Sequence, residues 1–239
     1  MRASIALGIA SVLISAQASA LSLSGEIIQI APPADASWEA LENNDHAFFW
    51  SEGTTTLTQS LEAEMGGLPG NAVTLIPGNG TGFVTEVDGT LFYDSGNASV
   101  QSNWGGDLAA GTYDSYMLHA DKQGETTQTY DGSITFDREI VGLIFKQTEL
   151  CLSDPIFGAP GTTYAGCGDV RRLELEPNNG VDNWLRISAD GKTLTFSTDV
   201  PHDLDNVRIL TAAVPVPAAV WLFGSALGIL GWTRRRKAT

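Results

Sequence analysis

The chain has 239 residues, of which 28 are acidic and 13 are basic, and its net charge at neutral pH is −15. All of the acidic residues but only eight of the basic residues lie between positions 21 and 213, so this body of the chain carries a net charge of −20. Such a surface repels nucleic acid and anionic lipid headgroups, and it suits a soluble extracellular protein or one that collects divalent cations.

The first predicted element is a signal peptide over residues 1–20. It has an apolar run at Ile5–Ile14 and ends with Ala18 and Ala20, which fit the small-x-small pattern that precedes cleavage. The apolar run is about ten residues long, which is too short to span a bilayer as a permanent helix. We therefore expect the mature chain to begin at Leu21 and to be exported.

The body, residues 21–213, is predicted to be one all-β domain. Short apolar alternations are separated by Gly, Thr, Ser, Asn and Asp, and only Trp38–Asn43 resembles one or two helical turns. Many short strands with turn signals between them predict an antiparallel β-sandwich of jelly-roll type. Two-residue hairpin turns are predicted at three Asp-Gly pairs, which are Asp88-Gly89, Asp131-Gly132 and Asp190-Gly191.

Three further stretches of the body have strand-like patterns. His119 lies in the alternating stretch "YMLHAD", and we expect an ordinary strand residue there rather than a catalytic base. Ile140–Phe145 is apolar at successive positions, which predicts a strand buried on both faces inside a sheet. Leu173 and Leu175 alternate with glutamates, as in a strand with one exposed face.

The two cysteines of the chain are Cys151 and Cys167. An even number of cysteines in an exported protein indicates a disulfide. On the chain-entropy model, closing this loop stabilises the fold by about 3 kcal/mol. The alternatives are two free thiols, or metal or redox chemistry, but the spacing fits no zinc pattern.

The pair Asp190-Gly191 allows a prediction of strand register. If a type I′ turn is centred on it, side chains that alternate along both strands form one apolar face and one mixed face. The apolar face pairs Leu185 with Phe196 and Ile187 with Leu194, and the other face pairs Trp184 with Ser197 and Arg186 with Thr195.

The chain ends in a tail with three parts, residues 214–239. The 19 residues 214–232 carry no charge, and a helix of that length rises about 28 Å, which is just enough to cross a bilayer. The basic end is expected to stay cytoplasmic, so that the body lies outside. The proline motif consists of Val214, Pro215, Val216, Pro217 and Ala218, and the basic end consists of Arg234, Arg235, Arg236 and Lys237.

In the order of these parts, the tail resembles the PEP-CTERM sorting domain of Gram-negative bacteria, in its VPLPA-like variant, with Val216 where the name-giving motif has glutamate. The resemblance implies processing by an exosortase, a membrane-embedded cysteine transpeptidase, and a role beside exopolysaccharide in the biofilm matrix. The body, including "GTYDSYMLHADKQG", is similar to exported proteins with the same tail, and this second likeness implies no activity.

Candidate ligand residues are few. Trp184 and Trp104 are candidate platforms for a sugar ring, although Trp184 has two alternatives: packing under a loop or stacking with Arg186. Asp203 and Asp205 in "PHDLDN" form a weak candidate for a structural calcium ion, and a solvated acidic loop is the alternative. No other cofactor is expected.

We predict no catalysis, because the sequence contains no nucleophile elbow, zinc-protease helix or phosphate-binding loop. The predicted function is that of an exported, non-catalytic protein with a structural or adhesive role. It is first anchored in the inner membrane with its body in the periplasm, and then lies at the cell surface or in the matrix. The alternatives are a carbohydrate-binding module for extracellular polysaccharide and a secreted glycan hydrolase, for which the many carboxylates single out no pair.

Overall fold

The computed structural model describes residues 21–61, 74–75, 84–85, 91–94, 107–173, 183–201 and 204–213. Several predicted features lie outside these ranges: the signal peptide with Ala18 and Ala20, Trp104, Asp203, and the tail from Val214 to Lys237. In the part of the chain that is described, no helix has the length and apolarity needed to cross a bilayer.

The described residues are mostly β-strand, as the sequence predicts. In chain order the elements are β1 (Ser22–Gly25), β2 (Ile27–Gln29), β3 (Asp35–Ala36), β4 (Ala47–Leu57), β5 (Thr74–Leu75), β6 (Val84–Thr85), β7 (Leu91–Asp94), β8 (Gly111–Ala120), β9 (Gln128–Thr135), β10 (Ile140–Ile144), α1 (Gln147–Phe157), β11 (Thr163–Tyr164), β12 (Trp184–Ile187), β13 (Thr193–Val200) and β14 (Asp205–Ala212).

The strands form two large sheets and one short ribbon. The first sheet has the order β1-β9-β13-β12-β7-β6, and all its neighbouring strands are antiparallel. The second sheet has the order β2-β4-β8-β14-β10-β5, in which β2 and β4 are parallel and the other pairs antiparallel. The parallel strands β3 and β11 form the ribbon.

The main hydrophobic core contains side chains from both large sheets. The second sheet contributes Phe49, Leu118 and Ile209, and the first sheet contributes Leu185 and Phe196. These residues alternate along their strands with residues that face the other way, as period-two geometry requires. The inward alternation predicted for β12 and β13 is therefore confirmed.

A second apolar cluster lies on the other face of the second sheet. There Trp50, Met117 and Leu210 pack with Leu150 and Phe157 of α1. Because the second sheet has a core on each face, its strands are apolar at successive positions. This explains the sequence of β10, which lies between β14 and β5 inside the sheet as predicted.

The hairpin of β12 and β13 has the predicted register, with Leu185 opposite Phe196 and Trp184 opposite Ser197. The type of its turn was predicted wrongly. Among the described residues other than glycine only Glu39 has a positive φ, so Asp190 does not adopt the conformation that a type I′ turn requires.

Hydrogen bonds show how this turn forms instead. The N–H of Gly191 donates to the carbonyl of Ser188 at 2.8 Å, and Gly191 alone takes a left-handed conformation, with a φ of 70°. The Asp190 carboxylate accepts hydrogen bonds from the Ser188 hydroxyl at 2.5 Å and from the Lys192 N–H at 3.1 Å. Asp190 thus stabilises the turn through its side chain.

Three other local predictions have different outcomes. Asp131 and Gly132 lie within β9, so the hairpin predicted there is wrong. β6 and β7 pair antiparallel, with Val84 opposite Phe92 and Thr85 opposite Leu91, but Asp88-Gly89 lies outside the described residues, so the two-residue turn there stays a prediction. The segment from Trp38 contains a single turn closed by the N–H of Ala40 and the carbonyl of Ser37, and α1 was not predicted.

The stretch from Leu173 contributes less strand than expected. Arg172 forms one parallel bridge with Asn206, and Leu173 is buried. Leu175 lies outside the described residues.

Candidate functional site

The predicted disulfide is present between Cys151 and Cys167, whose Cα atoms are 5.3 Å apart. Cys151 belongs to α1, and Cys167 belongs to the loop that follows β11. The bond therefore ties the only helix described in full to the loop beside it. This region, on the outer face of the second sheet, also contains a group of charged residues that are hydrogen-bonded to one another.

Glu52 reaches this face through a β-bulge in β4. Ser51 lies opposite Tyr116 and Gly53 lies opposite Ser115, so Glu52 is an extra residue between two successive partners on β8. Gly53 has a φ of 111°, which glycine adopts readily because it has no Cβ. The bulge turns the Glu52 carboxylate inward, where it accepts a hydrogen bond from the Ser115 hydroxyl at 2.6 Å.

Glu52, Asp154, Arg171 and Arg208 form what we call the charge cluster, between the second sheet and α1. Arg208 donates from Nε and Nη2 to the two oxygens of Glu52, at 2.7 and 2.8 Å. The same Nη2 donates to Asp154 Oδ1 at 2.8 Å. Arg171 donates from Nη1 and Nη2 to the two oxygens of Asp154, at 2.6 and 3.1 Å. Both arginine side chains are fully buried.

Tyr164 connects the two halves of the charge cluster. Its hydroxyl donates to Glu52 Oε1 at 2.6 Å and accepts the Ala159 N–H at 2.9 Å. The guanidinium carbons of Arg171 and Arg208 each lie 5.6 Å from the centre of its ring, within the range of cation–π attraction. Tyr164 is thereby held in one orientation.

The electrostatics keep the Arg208 guanidinium and the Tyr164 phenol protonated at physiological pH. Burial lowers the pKa of Arg208, but Glu52 and Asp154 outweigh this effect and raise the pKa above its ordinary value. Burial, and then the Glu52 carboxylate, raise the pKa of the Tyr164 phenol. The charge cluster pairs two carboxylates with two guanidiniums and so has no net charge. Pairing of this kind is what allows buried charges to persist.

A pocket of about 330 Å³ opens beside the charge cluster, and we call it the α1 pocket. It is lined by Asp154, Thr162, Tyr164 and Gly166 and by the disulfide. Its volume lies near the lower end of the range of small-molecule sites, about 300–1,000 Å³. The pocket is therefore large enough for one small ligand.

Trp184 lies on β12 and faces away from the main core, as the register requires. The guanidinium of Arg186 lies 6.0 Å from the centre of its ring. Stacking with Arg186, one of the two alternatives for Trp184, is therefore present. Trp184 as a platform for a ligand stays a prediction, as does Trp104. Sequence reasoning missed a more exposed aromatic residue, Trp38, whose exposed fraction is 51%.

Asp205 differs from the solvated loop residue considered for it, because it lies in β14 and is only 4% exposed. It accepts a hydrogen bond from the Thr198 hydroxyl. Within the described ranges, no three His, Cys, Asp or Glu side chains are grouped to hold a metal ion. Because Asp203 lies outside them, a calcium site at this pair stays a prediction.

His119 is a buried residue of β8, in agreement with the strand predicted there. Its Nδ1 lies 2.8 Å from Oδ1 of Asn206 on the neighbouring strand. Burial lowers the pKa of His119 to about 4, so the ring is neutral at pH 7. A ring so enclosed has no direct access to a substrate.

The charge cluster was not predicted from sequence. Glu52 and Arg208 are 156 positions apart, and the other two members lie in a helix and a loop that the pattern did not reveal. The available signal was local: Arg208 interrupts the apolar stretch "NVRIL" of β14. A charge inside such a strand indicates a buried partner.

Comparison with known proteins finds no relative whose known site could be compared with this one. The chain matches no protein-family model, and neither a curated protein nor a solved structure matches it.

Proposed function

We propose that the protein is an exported component of the cell envelope or extracellular matrix with a non-catalytic, structural or adhesive role. In this proposal the two large sheets form a β-sandwich of jelly-roll type. Residues 214–239 form a sorting signal with one transmembrane helix, which an exosortase-like enzyme processes after the body has reached the periplasm. The polysaccharide-rich matrix is its destination.

The disulfide is the structural observation that carries the proposal of export. A Cys151–Cys167 bond persists in an oxidising compartment and is rare in a reducing cytosol. The strongly acidic body supports the same conclusion, because like charge keeps an exported protein soluble and apart from anionic headgroups. The signal peptide and the tail supply the route.

The route is tested by recovering the mature protein from cell fractions and determining both termini by mass spectrometry. We expect an N-terminus at Leu21 and a C-terminus that lacks the basic end. Deletion of residues 218–239 is expected to move the body from membrane-associated intermediates to free periplasmic protein. Unchanged fractionation and maturation after this deletion would contradict the sorting proposal.

A second candidate function is carbohydrate binding, and the α1 pocket is the observation that favours it. A concave site with a few fixed polar groups is the usual form of a small-molecule site. The test is retention of the purified body on immobilised matrix polysaccharide, with release of reducing ends measured in parallel. Retention without release supports a binding module, and release favours a hydrolase. If neither retention nor release is observed, only the structural role remains.

A further inference from the structure

The charges around the α1 pocket limit the classes of ligand that it can bind. Asp154 lines the pocket, and its side chain is 17% exposed. Two guanidiniums already neutralise this carboxylate and Glu52, so the charge cluster offers no excess charge of either sign. A cation would meet two buried arginines behind Asp154, and an anion would meet the carboxylate itself. The charge cluster therefore suits a neutral ligand, and the Asp169 carboxylate, which accepts the N–H of the lining residue Gly166, adds repulsion against an anion.

The hydrogen-bonding groups of the lining limit the range of ligands further. Asp154 Oδ1 accepts two N–H groups and Oδ2 accepts one, which leaves acceptor capacity on Oδ2 because a carboxylate has about four acceptor positions. The Thr162 hydroxyl donates to the carbonyl of Pro33 at 2.6 Å, so its oxygen is also left as an acceptor. The N–H of Gly166 is occupied by Asp169. A ligand in the pocket must therefore supply donors such as hydroxyl groups.

The rest of the lining is weakly polar. The disulfide is the more accessible apolar part of the lining and suits C–H groups rather than further hydroxyls, whereas Ala159 and Ala165 are 4% and 2% exposed. Hydroxyl donors around an apolar C–H face are the chemistry of a sugar ring. An exposed aromatic residue, Trp38, lies two positions after Ala36 of β3, and Ala36 pairs with Tyr164 of the pocket lining.

We propose that the α1 pocket binds a single neutral sugar unit, with Asp154 accepting hydrogen bonds from its hydroxyl groups. This inference deepens the carbohydrate-binding candidate above and rests on it. It assigns the binding to the pocket beside the disulfide rather than to Trp184, and it excludes uronic acids and sugars with a free, protonated amino group as preferred ligands.

A pair of glycine substitutions tests the site with a matched control. Gly166 lines the pocket, and a Cβ there would meet only the flexible Asp169 carboxylate, at 3.2 Å. Gly168 is also exposed and lies two residues away, outside the lining, and a Cβ there would meet no atom within 4 Å. Gly166→Phe is expected to fill the pocket, whereas Gly168→Phe is expected to leave it open.

The measurement is saturation-transfer NMR of the purified body with glucose, galactose and N-acetylglucosamine as neutral probes, and glucuronic acid and glucosamine as charged probes. We expect at least one neutral probe to bind more tightly than either charged probe. Its affinity should fall by about tenfold or more in Gly166→Phe and stay unchanged in Gly168→Phe. Thr162→Phe is a second blocking variant, should Gly166→Phe not fold.

Each of the other possible results contradicts a different part of the proposal. Neutral-sugar binding that survives both blocking variants overturns the assignment to the α1 pocket but keeps the carbohydrate-binding function. Tighter binding of a charged probe overturns the argument from charge. Absence of binding by every probe overturns the pocket proposal, and retention on matrix polysaccharide then shows whether the broader function still stands.

Discussion

Phe196 and Trp184 lie on opposite faces of one hairpin, and their surroundings differ accordingly. Phe196 is 1% exposed in the main core, opposite Leu185. Trp184 is half-buried on the other face, where Arg186 covers part of its ring. Removal of the first ring leaves a cavity in close-packed surroundings, and removal of the second leaves space that solvent can enter.

We therefore expect Phe196→Ala to lower the free energy of unfolding by about 3–5 kcal/mol. Trp184→Ala is the matched control and is expected to lower it by much less. Denaturant unfolding of the two purified variants measures both quantities. If Trp184→Ala unfolds the domain while Phe196→Ala is harmless, the assignment of the two faces is reversed.

The charged residues of the site illustrate what sequence could not provide at this scale. Whether Phe196 faces inward follows from period-two alternation within one strand. The positions of Glu52 and Arg208 depend on a bulge and on contacts across the sheet, and neither leaves a periodic signal. Asp154 and Arg171 could be placed only once α1 was known.

Among the elements, the Asp-Gly signal succeeds at Asp190-Gly191 and fails at Asp131-Gly132 because the two glycines are needed for different physical reasons. Gly191 is needed for its left-handed conformation in a turn. Gly132 is needed for space, because a Cβ there would lie 2.6 Å from Cδ1 of Ile27. The same dipeptide therefore serves a turn in one place and a close approach of chains within a sheet in the other.

Helix α1 was missed because its composition is poor in helical signals. Pro155 lies inside it, and Lys146 at its N-cap makes no side-chain capping hydrogen bond. Its buried residues are only Leu150, Ser153 and Phe157. Such a helix depends on tertiary contacts rather than on intrinsic propensity, and the disulfide and the charge cluster provide those contacts.

We expect removal of the disulfide to destabilise the fold through helix α1. The double variant Cys151→Ser/Cys167→Ser frees the ends of a loop with a sequence separation of 16 and should lower the free energy of unfolding by about 3 kcal/mol. Denaturant unfolding under oxidising conditions measures the loss. Wild-type protein in reductant should match the variant, and a reduced wild type as stable as the oxidised form would show that the bond does not support the fold.

At the scale of the whole molecule, the buried side chains His119 and Asp121 make the free energy of unfolding depend on pH in opposite directions. The pKa of His119 is lowered from 6.5 to about 4, chiefly by burial, so acid stabilises the unfolded chain, which takes up the proton first. Burial raises the pKa of Asp121 from 3.8 to about 6, so there the folded protein takes up the proton first. Between pH 6.5 and 4 the first effect lowers stability as the pH falls, and the second effect raises it.

The two effects are similar in size, because each pKa differs from its unfolded value by a little over two units and one unit corresponds to about 1.4 kcal/mol.

The substitution Asp121→Asn separates the effect of Asp121 from that of His119. The amide oxygen retains an acceptor for the Glu39 N–H, which now donates to Asp121 at 2.9 Å, but the side chain no longer titrates. The free energy of unfolding of the variant, relative to wild type, should therefore fall by about 2 kcal/mol between pH 7 and pH 4. Urea unfolding at both pH values measures this, and Glu125→Gln, an exposed carboxylate of the same loop, controls for the general loss of one negative charge. If the two variants show the same pH dependence, burial of Asp121 does not govern the acid response of the molecule.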